Sequence, residues 1–177
     1  MKSAPGFTLI ELMVLLVIIS VAAAVAIPNF QQFLVSQRAT SNANEFLTAL
    51  TFARSEALKR GVPVSVCASS DGNACSGNND WDVGWIVFND NGPTRGTVET
   101  AQGENVLRRR AAFDDGSTLS DDSGNNATFV AFTGDGALDN GNNLDFELEP
   151  KDCKGEKLRG ISIAPTGRAV VERRPCP

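Results

Sequence analysis

The chain has 177 residues, of which 42% are hydrophobic and 21% charged, a composition typical of one globular domain with an appended segment. It contains no histidine and no tyrosine, which excludes catalysis through a histidine base and most zinc or iron centres. The net charge of −5 is uneven: residues 1–60 carry +2, residues 61–150 carry −11 and residues 151–177 carry +4, so only the C-terminal tail suits nucleic acid.

The first predicted element is an apolar helix. Nearly every residue from position 7 to position 27 is apolar, and about twenty such residues are enough to cross a bilayer. A secretory signal peptide would have a more basic start and a shorter apolar core, whereas only Lys2 precedes this run. A plain membrane anchor is the other alternative. Neither explains Glu11, because a carboxylate among lipid chains costs about 2.5–3.5 kcal/mol.

Beyond Pro28 the pattern becomes amphipathic, which predicts that the helix continues with one face on a core. It should end at Arg60, because Gly61 suits the left-handed position after a helix and Pro63 prevents continuation. One helix over residues 7–60 would be about 80 Å long and kinked at Pro28. The apolar positions of the second half recur at spacings of four and three: Ala39, Ala43, Phe46, Leu50, Ala53 and Ala57.

The stretch GFTLIELMVLLVIISVAAAVAIPNF, residues 6–30, resembles the N-terminus of type IV pilins and type II secretion pseudopilins. In those families a prepilin peptidase cuts after a glycine and methylates the new terminal amine. A glutamate then stands at the fifth mature position and a proline at the twenty-second. The matching positions here are Gly6, Phe7, Thr8, Glu11 and Pro28.

The resemblance implies a division of the chain into four parts. Residues 1–6 would be a leader removed by the peptidase, with Phe7 as the N-methylated terminus. Residues 7–28 would be the transmembrane and filament-core helix, residues 29–61 its amphipathic half, and residues 62–177 a globular head. In a water-poor fibre core Glu11 would then neutralise the Phe7 amine of a neighbouring subunit, which would select the register between subunits, or it would pair with Phe7 of its own subunit.

After position 61 the hydrophobic period changes from 3.6 to 2, which predicts short strands separated by turns. The runs TGDGAL and PTGRAV, residues 133–138 and 165–170, predict hairpin turns with glycine at positive φ. The resulting fold class is α+β, with antiparallel sheets around the C-terminal half of the long helix. We expect the acidic run at residues 114–124 to be a solvated loop. The predicted strands are VPVSVCA, GWIVFN, TFVAFT, NLDFEL and RGISIA.

These head motifs resemble the GspH/FimT-type domain of minor pilins and of the H-type minor pseudopilin of type II secretion. The resemblance implies a structural subunit, not an enzyme, with no cofactor and no metal. Its partners would be other minor and major pilins, the prepilin peptidase, the inner membrane and the assembly machinery there. Before assembly the head would be periplasmic, and afterwards the subunit would lie in the pilus fibre near its tip.

The four cysteines lie downstream of a membrane-targeting segment, which favours an oxidising compartment and two disulfides. Of the three possible pairings, Cys67–Cys75 with Cys153–Cys176 closes two local loops and is preferred. Reduced, buried thiols are the alternative. No two cysteines form a CxxC pair, so a metal knuckle or a redox motif is not expected.

The tail GRAVVERRPCP contains Arg168, Arg173 and Arg174, which are candidates for contact with DNA. FimT-like pilins that capture DNA carry a C-terminal motif of the form GRxR. Here the first arginine is present, but Val170 stands where the second is expected. Three phosphate contacts would also give only weak, salt-sensitive binding, so DNA uptake is the less favoured function.

Three further groups of side chains are of residue types that can carry chemistry. Asp80 and Asp82 flank Trp81 without any sign of a cleft, and we expect Trp81 and Trp85 to anchor the core or an interface. The arginine run at residues 108–110 predicts a surface face paired with the acidic middle region, or a subunit contact. A third group has oxygen ligands suited to calcium but turn-like spacing, which favours turns: Asp135, Asp139, Asp145, Asn140, Asn142 and Asn143.

Overall fold

The long helix is continuous. The computed structural model describes Gly6 and residues 8–177, without the side chains at positions 25, 28 and 29. Helix α1 (Leu9–Arg60) includes position 28 in its backbone. The side chain at that position is not described, so the kink predicted there stays a prediction. At its C-terminal end Gly61 has φ of 66° and donates its N–H to the carbonyl of Ala57 at 2.8 Å. Glycine is suited to this left-handed position because it has no Cβ.

Among the described residues, eight strands form two four-stranded antiparallel sheets, in the orders β3-β2-β1-β5 and β4-β6-β7-β8. Helix α1 contacts strands of both sheets, so the predicted α+β class with antiparallel sheets around the second half of the helix is confirmed. The strands are β1 (Val64–Ala68), β2 (Gly84–Asn89), β3 (Val106–Ala111), β4 (Thr118–Asp121), β5 (Phe129–Phe132), β6 (Leu144–Glu149), β7 (Leu158–Ile163) and β8 (Ala169–Arg174).

The main core lies between α1 and the two sheets, and Phe46 is at its centre. Its ring makes edge-to-face contacts with Trp81, Trp85 and Phe146, with ring centroids 5.1–5.4 Å apart. Both tryptophans are buried, as expected for core anchors, and the indole N–H of Trp81 donates to the carbonyl of Ala127 at 3.1 Å. Alanines on the same face of α1 allow the sheets to approach the helix backbone closely.

A second, smaller cluster covers the outer face of the first sheet. Cys67, Ile86 and Phe88 pack there beneath the loop that joins β2 to β3. Two buried carboxylates hold this loop: Asp90 accepts the N–H of Gly96 at 2.9 Å, and Glu104 accepts the N–H of Glu99 at 2.7 Å. Strand β1 is therefore buried on both faces, which explains its unbroken burial pattern.

The expectation of a solvated loop over residues 114–124 is wrong, because strand β4 lies inside it. Leu119 is fully buried opposite Leu148 of β6. Asp121 is also buried, and its carboxylate accepts the N–H groups of Ser123 at 3.1 Å and Ala127 at 2.9 Å. The acidic composition is misleading here because the buried aspartate satisfies backbone donors of the next loop.

Candidate functional site

The first half of α1 is exposed on almost all sides. From Leu9 to Leu34, here called the exposed segment, nothing in the described chain covers the large apolar side chains, and many of them are more than half exposed. Contiguous apolar surface of this size marks a membrane or protein interaction site. The exposed side chains are Leu9, Ile10, Leu12, Met13, Val14, Leu15, Leu16, Val17, Ile18, Ile19, Val21, Ile27, Phe30, Phe33 and Leu34.

Glu11 has a local structural role in addition to any role between subunits. Thr8 is the N-cap of α1, and its hydroxyl oxygen accepts the backbone N–H of Glu11 at 3.3 Å. The carboxylate of Glu11 lies in the first turn, where the positive end of the helix dipole favours a negative charge. A Thr-x-x-Glu spacing is the sequence signal of such a cap.

The processing site is only partly described. Gly6 is exposed, whereas Phe7 and residues 1–5 lie outside the described residues. Cleavage after Gly6, methylation of Phe7 and its charge pairing with Glu11 therefore stay predictions. No helical stretch made up wholly of described residues meets the length and hydropathy required of a membrane span.

Both disulfides that the sequence favours are present in the structure. Cys67–Cys75 joins β1 to the loop that follows it, with Cα atoms 5.5 Å apart. Cys153–Cys176 ties the chain terminus to the loop between β6 and β7, with Cα atoms 5.7 Å apart. A backbone hydrogen bond from the N–H of Cys176 to the carbonyl of Gly155 at 2.8 Å reinforces the second connection.

The three candidate DNA contacts do not form one surface. Arg168 is at the turn before β8, whereas Arg173 and Arg174 are at the far end of that strand, roughly 16 Å away at 3.3 Å per residue. Arg174 is already paired: its Nη2 is 2.8 Å from Asp145 and 2.7 Å from Glu172, and its Nη1 is 3.2 Å from Glu147. Its charge is therefore largely committed to its own chain.

The pKa of Arg174 reflects this network. Burial alone would lower the pKa, but hydrogen bonds to Glu172, Asp145 and Glu147 raise it above its ordinary value. Arg168 and Arg173 are exposed, and within the described residues neither makes an ion pair. The structure thus leaves two separated arginines as the accessible part of the predicted DNA-contacting set.

A buried arginine next to Arg173 has no signal in the sequence. Arg159 of β7 is only 2% exposed and lies directly opposite Arg173 in the register of β7 and β8. Its Nη2 donates to the hydroxyls of Ser36 at 3.2 Å and Thr40 at 3.1 Å. Burial lowers the pKa of Arg159, and the positive charge of Arg173 adds to that effect.

The arginines of β3 bind groups of their own chain separately. Arg110 pairs with Glu45 of α1 at 2.8 Å, so its expected pairing with the acidic middle region is wrong, because the edge strand β3 lies against the helix. Arg108 stacks over the ring of Phe52 at 4.2 Å. Arg109 donates to the carbonyl of Gly72 at 2.6 Å. The three guanidinium groups do not converge on one point.

The oxygen-rich residues weighed as calcium ligands are engaged elsewhere. Asp139 lies 3.4 Å from Arg95, and Asp145 pairs with Arg174. Asp135 accepts the Thr133 hydroxyl, which lowers the pKa of its carboxyl below the ordinary value. Among the described residues no group of three acidic, cysteine or histidine side chains is arranged to hold a metal. The remaining candidates form turns: Asn140 Oδ1 accepts the N–H of Asn142 at 3.1 Å, and the carbonyl of Asn143 accepts from Asn125 at 3.4 Å.

The carboxylates beside Trp81 do not form an acid/base pair. Asp80 is exposed and accepts from the side chain of Asn78 at 3.2 Å. Asp82 is half-buried, and its backbone carbonyl accepts the N–H of Phe113 at 2.8 Å. Asp80 and Asp82 flank Trp81, whose side chain is fully buried in the core, and this burial agrees with an anchoring role for Trp81.

Two family models match the chain. One describes the type II transport protein GspH and matches residues 42–167, well over half of the sequence. The chain belongs to the GspH family. The other model describes the prokaryotic N-terminal methylation motif and matches residues 1–27, which include Gly6, Phe7 and Glu11. The family prediction from the N-terminal and head motifs is confirmed.

Curated relatives of this GspH-family chain include two fimbrial proteins of Pseudomonas aeruginosa, each 38% identical over 71 residues. That stretch is 40% of this chain and 46% of each relative, so the chain matches less than half of their length.

Among solved structures, the fold is similar to the type IV minor pilin FimU of Pseudomonas aeruginosa. One crystal form gives a TM-score of 0.58 at 25% identity, covering 75% of this chain and 87% of FimU, and a second gives 0.57. The minor pseudopilin EpsH from the type 2 secretion system of Vibrio cholerae has the same fold, with a TM-score of 0.50 at 12% identity, covering 77% of this chain and 97% of EpsH. Family and fold are therefore those of structural pilins.

The GspH family match covers the head and the adjoining part of α1 but neither end of the chain. It begins at Asn42, within the part of α1 that packs on the head, and stops at Gly167, before β8. The exposed segment and the three tail arginines therefore lie outside the shared domain. The methylation motif covers residues 9–27 of the exposed segment and ends one residue before Pro28.

Proposed function

We propose that the protein is a minor type IV pilin, a low-abundance structural subunit that primes or caps pilus assembly. The observation that carries this proposal is the combination within one chain of a FimU-like head and a long exposed apolar helix that begins with the methylation motif. The head supplies a folded body of its own, and the helix supplies a surface that needs a partner.

In this proposal the prepilin peptidase removes residues 1–6 and methylates the amine of Phe7. The exposed segment of α1 then anchors the subunit in the inner membrane, with the head on the periplasmic side. During assembly the machinery at that membrane transfers the helix into the fibre, near the tip, where other minor and major pilins cover it. No catalytic step is required of the subunit itself.

The energetic basis of this transfer is a change of partner for the same apolar surface. Burying a large apolar side chain is worth about 1.5–3 kcal/mol relative to water, and lipid chains and neighbouring helices both provide this burial. Since lipid is as apolar as the neighbours, packing and charge pairing must decide when the helix joins the fibre. Glu11 and the amine of Phe7 provide that charge pairing in the proposed fibre.

The test is the state of the N-terminus in two cell fractions. Mass spectrometry of the protein from inner membranes and from sheared pili should show a chain that begins with methylated Phe7 in both. The sheared fraction should also contain the major pilin. A mature chain that still begins at Met1, or a protein absent from pili, would contradict the proposal.

A type II secretion minor pseudopilin is the alternative that the name of the matching family model supports. Such a subunit would use the same helix and the same processing. Co-purification from membranes separates the two functions: a pilus subunit should retain pilins, and a pseudopilin should retain secretion-system components. Deletion should correspondingly affect pili in the first case and protein secretion in the second.

A DNA-binding minor pilin for transformation is the second alternative. Exposed Arg168 and Arg173 support it, while the commitment of Arg174 to three carboxylates weakens it. The purified protein should then shift duplex DNA at low salt, and Arg168→Ala should weaken the shift. Absence of any shift at low salt would remove this alternative.

A further inference from the structure

The start of β7 lies where the exposed segment of α1 ends. Lys157 donates a hydrogen bond to the side chain of Gln32, and Arg159 donates to Ser36 and Thr40 one and two turns further along the helix. Arg173 of β8 is the register partner of Arg159. These three cations, Lys157, Arg159 and Arg173, are here called the basic collar.

The basic collar lacks a negative partner. Arg159 is almost completely buried, yet all its acceptors are neutral: two hydroxyls and the carbonyls of Glu156, Lys157 and Leu158. Within the described residues no ion pair is formed by Lys157, Arg159 or Arg173. A buried cation beside a second cation is costly unless an anion compensates it.

Arg174, the residue after Arg173 in β8, has the negative partners that Arg173 does not have. Arg174 points to the other face of β8, where Asp145, Glu147 and Glu172 neutralise it. Arg173 is one position away and receives no such partner, even though the chain as a whole carries a net charge of −5. The three carboxylates that neutralise Arg174 thus lie on the far face of β8, and Arg159 and Arg173 on the other face have no ion pair within the described residues.

The position of the basic collar along α1 matches the headgroup layer of a bilayer. From Leu9 to Phe30 the helix spans about 33 Å at 1.5 Å per residue, close to the roughly 30 Å of a hydrocarbon core. Gln32 and Ser36 lie about 3 and 9 Å beyond Phe30 on the same scale. The polar headgroup region extends about 5–8 Å beyond the hydrocarbon on each side, so Lys157, bonded to Gln32, lies in this layer. Arg159, bonded to Ser36 and Thr40, lies just beyond it, near enough for its charge to act across a screening length of about 8 Å.

We propose that the basic collar binds the phosphate of an anionic phospholipid headgroup while the exposed segment lies in the membrane, an inference that rests on the anchored state proposed above. Lys157 and Arg173 contact the phosphate from the surface, and Arg159 adds positive potential from beneath. A carboxylate of a neighbouring subunit would carry the same charge. The direct continuity of the collar with the apolar helix favours the lipid.

The experiment uses the full chain in lipid nanodiscs made of phosphatidylcholine with a minor fraction of phosphatidylglycerol. Native mass spectrometry then measures how far phosphatidylglycerol is enriched among the lipids retained by the protein. We expect clear enrichment in the unchanged chain, and a reduction of about fivefold for each collar charge lost in Lys157→Gln and Arg173→Gln. Arg168→Gln is the matched control, because it removes an exposed arginine at the opposite end of β8 and should leave the enrichment unchanged.

The outcomes separate this inference from the proposed function. Flotation of the chain with vesicles tests the anchored state, and a chain that does not float would overturn both. A chain that floats but shows no enrichment, or whose enrichment is not reduced by Lys157→Gln or by Arg173→Gln, would overturn the lipid inference alone. Enrichment unaffected by these substitutions, together with reduced incorporation into pili, would assign the collar to a neighbouring subunit.

Discussion

The two halves of α1 belong to one continuous helix but find their partners in different places. Residues 39–60, here called the packed segment, bury a face of alanines with Phe46 and Leu50 against the two sheets of the same chain. The exposed segment, residues 9–34, has large apolar side chains on all sides and nothing in the described chain to cover them. Their hydrophobic patterns differ accordingly: one side of the packed segment is apolar, whereas the exposed segment is apolar all round.

The difference shows how one helix serves two kinds of burial. A face of small side chains allows close approach of a sheet and specifies a unique internal core. A helix that is apolar on every side has no preferred internal partner, so its packing must come from lipid or from other subunits. Changes in one segment should therefore leave the other nearly unaffected. Two experiments test this separation directly, and two further ones measure smaller effects in the head.

The largest effect is expected for Glu11→Ala in the exposed segment. Leaving the Phe7 amine unpaired in a water-poor fibre core should cost about 3–5 kcal/mol, enough to reduce incorporation into pili more than a hundredfold. Membrane insertion and the unfolding of the head should be unchanged. Quantitative immunoblots of membrane and sheared-pilus fractions measure the incorporation into pili. Ser20→Ala is the control, because the Ser20 hydroxyl donates to the carbonyl of Val17 within α1. Normal incorporation of Glu11→Ala would refute the pairing.

The packed segment should respond to Phe46→Ala with a loss of about 3–5 kcal/mol in the free energy of unfolding, because a fully buried ring is replaced by a cavity. Denaturant titration of the full chain in detergent, followed by tryptophan fluorescence, measures the loss next to Trp81 and Trp85. Phe33→Ala removes the same ring from the exposed segment and should leave that free energy nearly unchanged. Equal effects of the two substitutions would show that the segments are not separate.

A smaller effect is expected from the disulfides of the head. Replacing Cys153 and Cys176 together by serine opens a loop with a sequence separation of 23 residues and should cost about 3 kcal/mol on loop entropy. The shorter loop closed by Cys67 and Cys75, with a separation of 8, should cost less by the same argument. Thermal unfolding of both double variants provides the comparison, and the reverse order would show that strain or residual structure outweighs loop length.

The smallest effect concerns a turn remote from both segments. Backbone N–H groups of Ala74 and Asn73 hold the pKa of Asp71 below its ordinary value of 3.8. A lowered folded-state pKa stabilises the fold above the unfolded value, and this contribution is lost as pH falls below about 4. Asp71→Asn keeps the acceptor oxygen but not the charge, so its melting temperature should decrease less on acidification. An identical pH profile for both proteins would remove Asp71 as a contributor.

Much of the fold could be predicted because local patterns and tertiary burial agree. The helix end at Gly61 follows from residue chemistry, and the alternation in β6 follows from a sheet with one buried face. Strand β4 could not be predicted by composition, since Asp121 is buried for its hydrogen bonds and not for its hydropathy. Hydrophobic periodicity and secondary-structure propensity do not account for hydrogen bonds between a buried side chain and the backbone of the next loop.

The functional residues could be predicted from the sequence only where they belong to a motif that is continuous along the chain. Glu11 stands out because a charge interrupts an apolar run, and the cap by Thr8 follows from a spacing of three residues. Arg159 gives no comparable signal, because its burial arises from β7 packing against a helix more than a hundred residues earlier in the chain. The separation of Arg173 from Arg174 likewise follows from which face of β8 each one occupies.

The way α1 joins the head determines how a mechanical load would spread. The guanidinium of Arg54 donates to the carbonyls of Gly136 at 2.9 Å and Thr166 at 2.8 Å, so a single side chain fastens the last turns of the helix to turns of both sheets. Only residues 61–63 separate the helix from β1, a central strand. Tension along the helix is therefore passed to both sheets at once, to the first through the interior strand β1 and to the second through the turn held by Arg54.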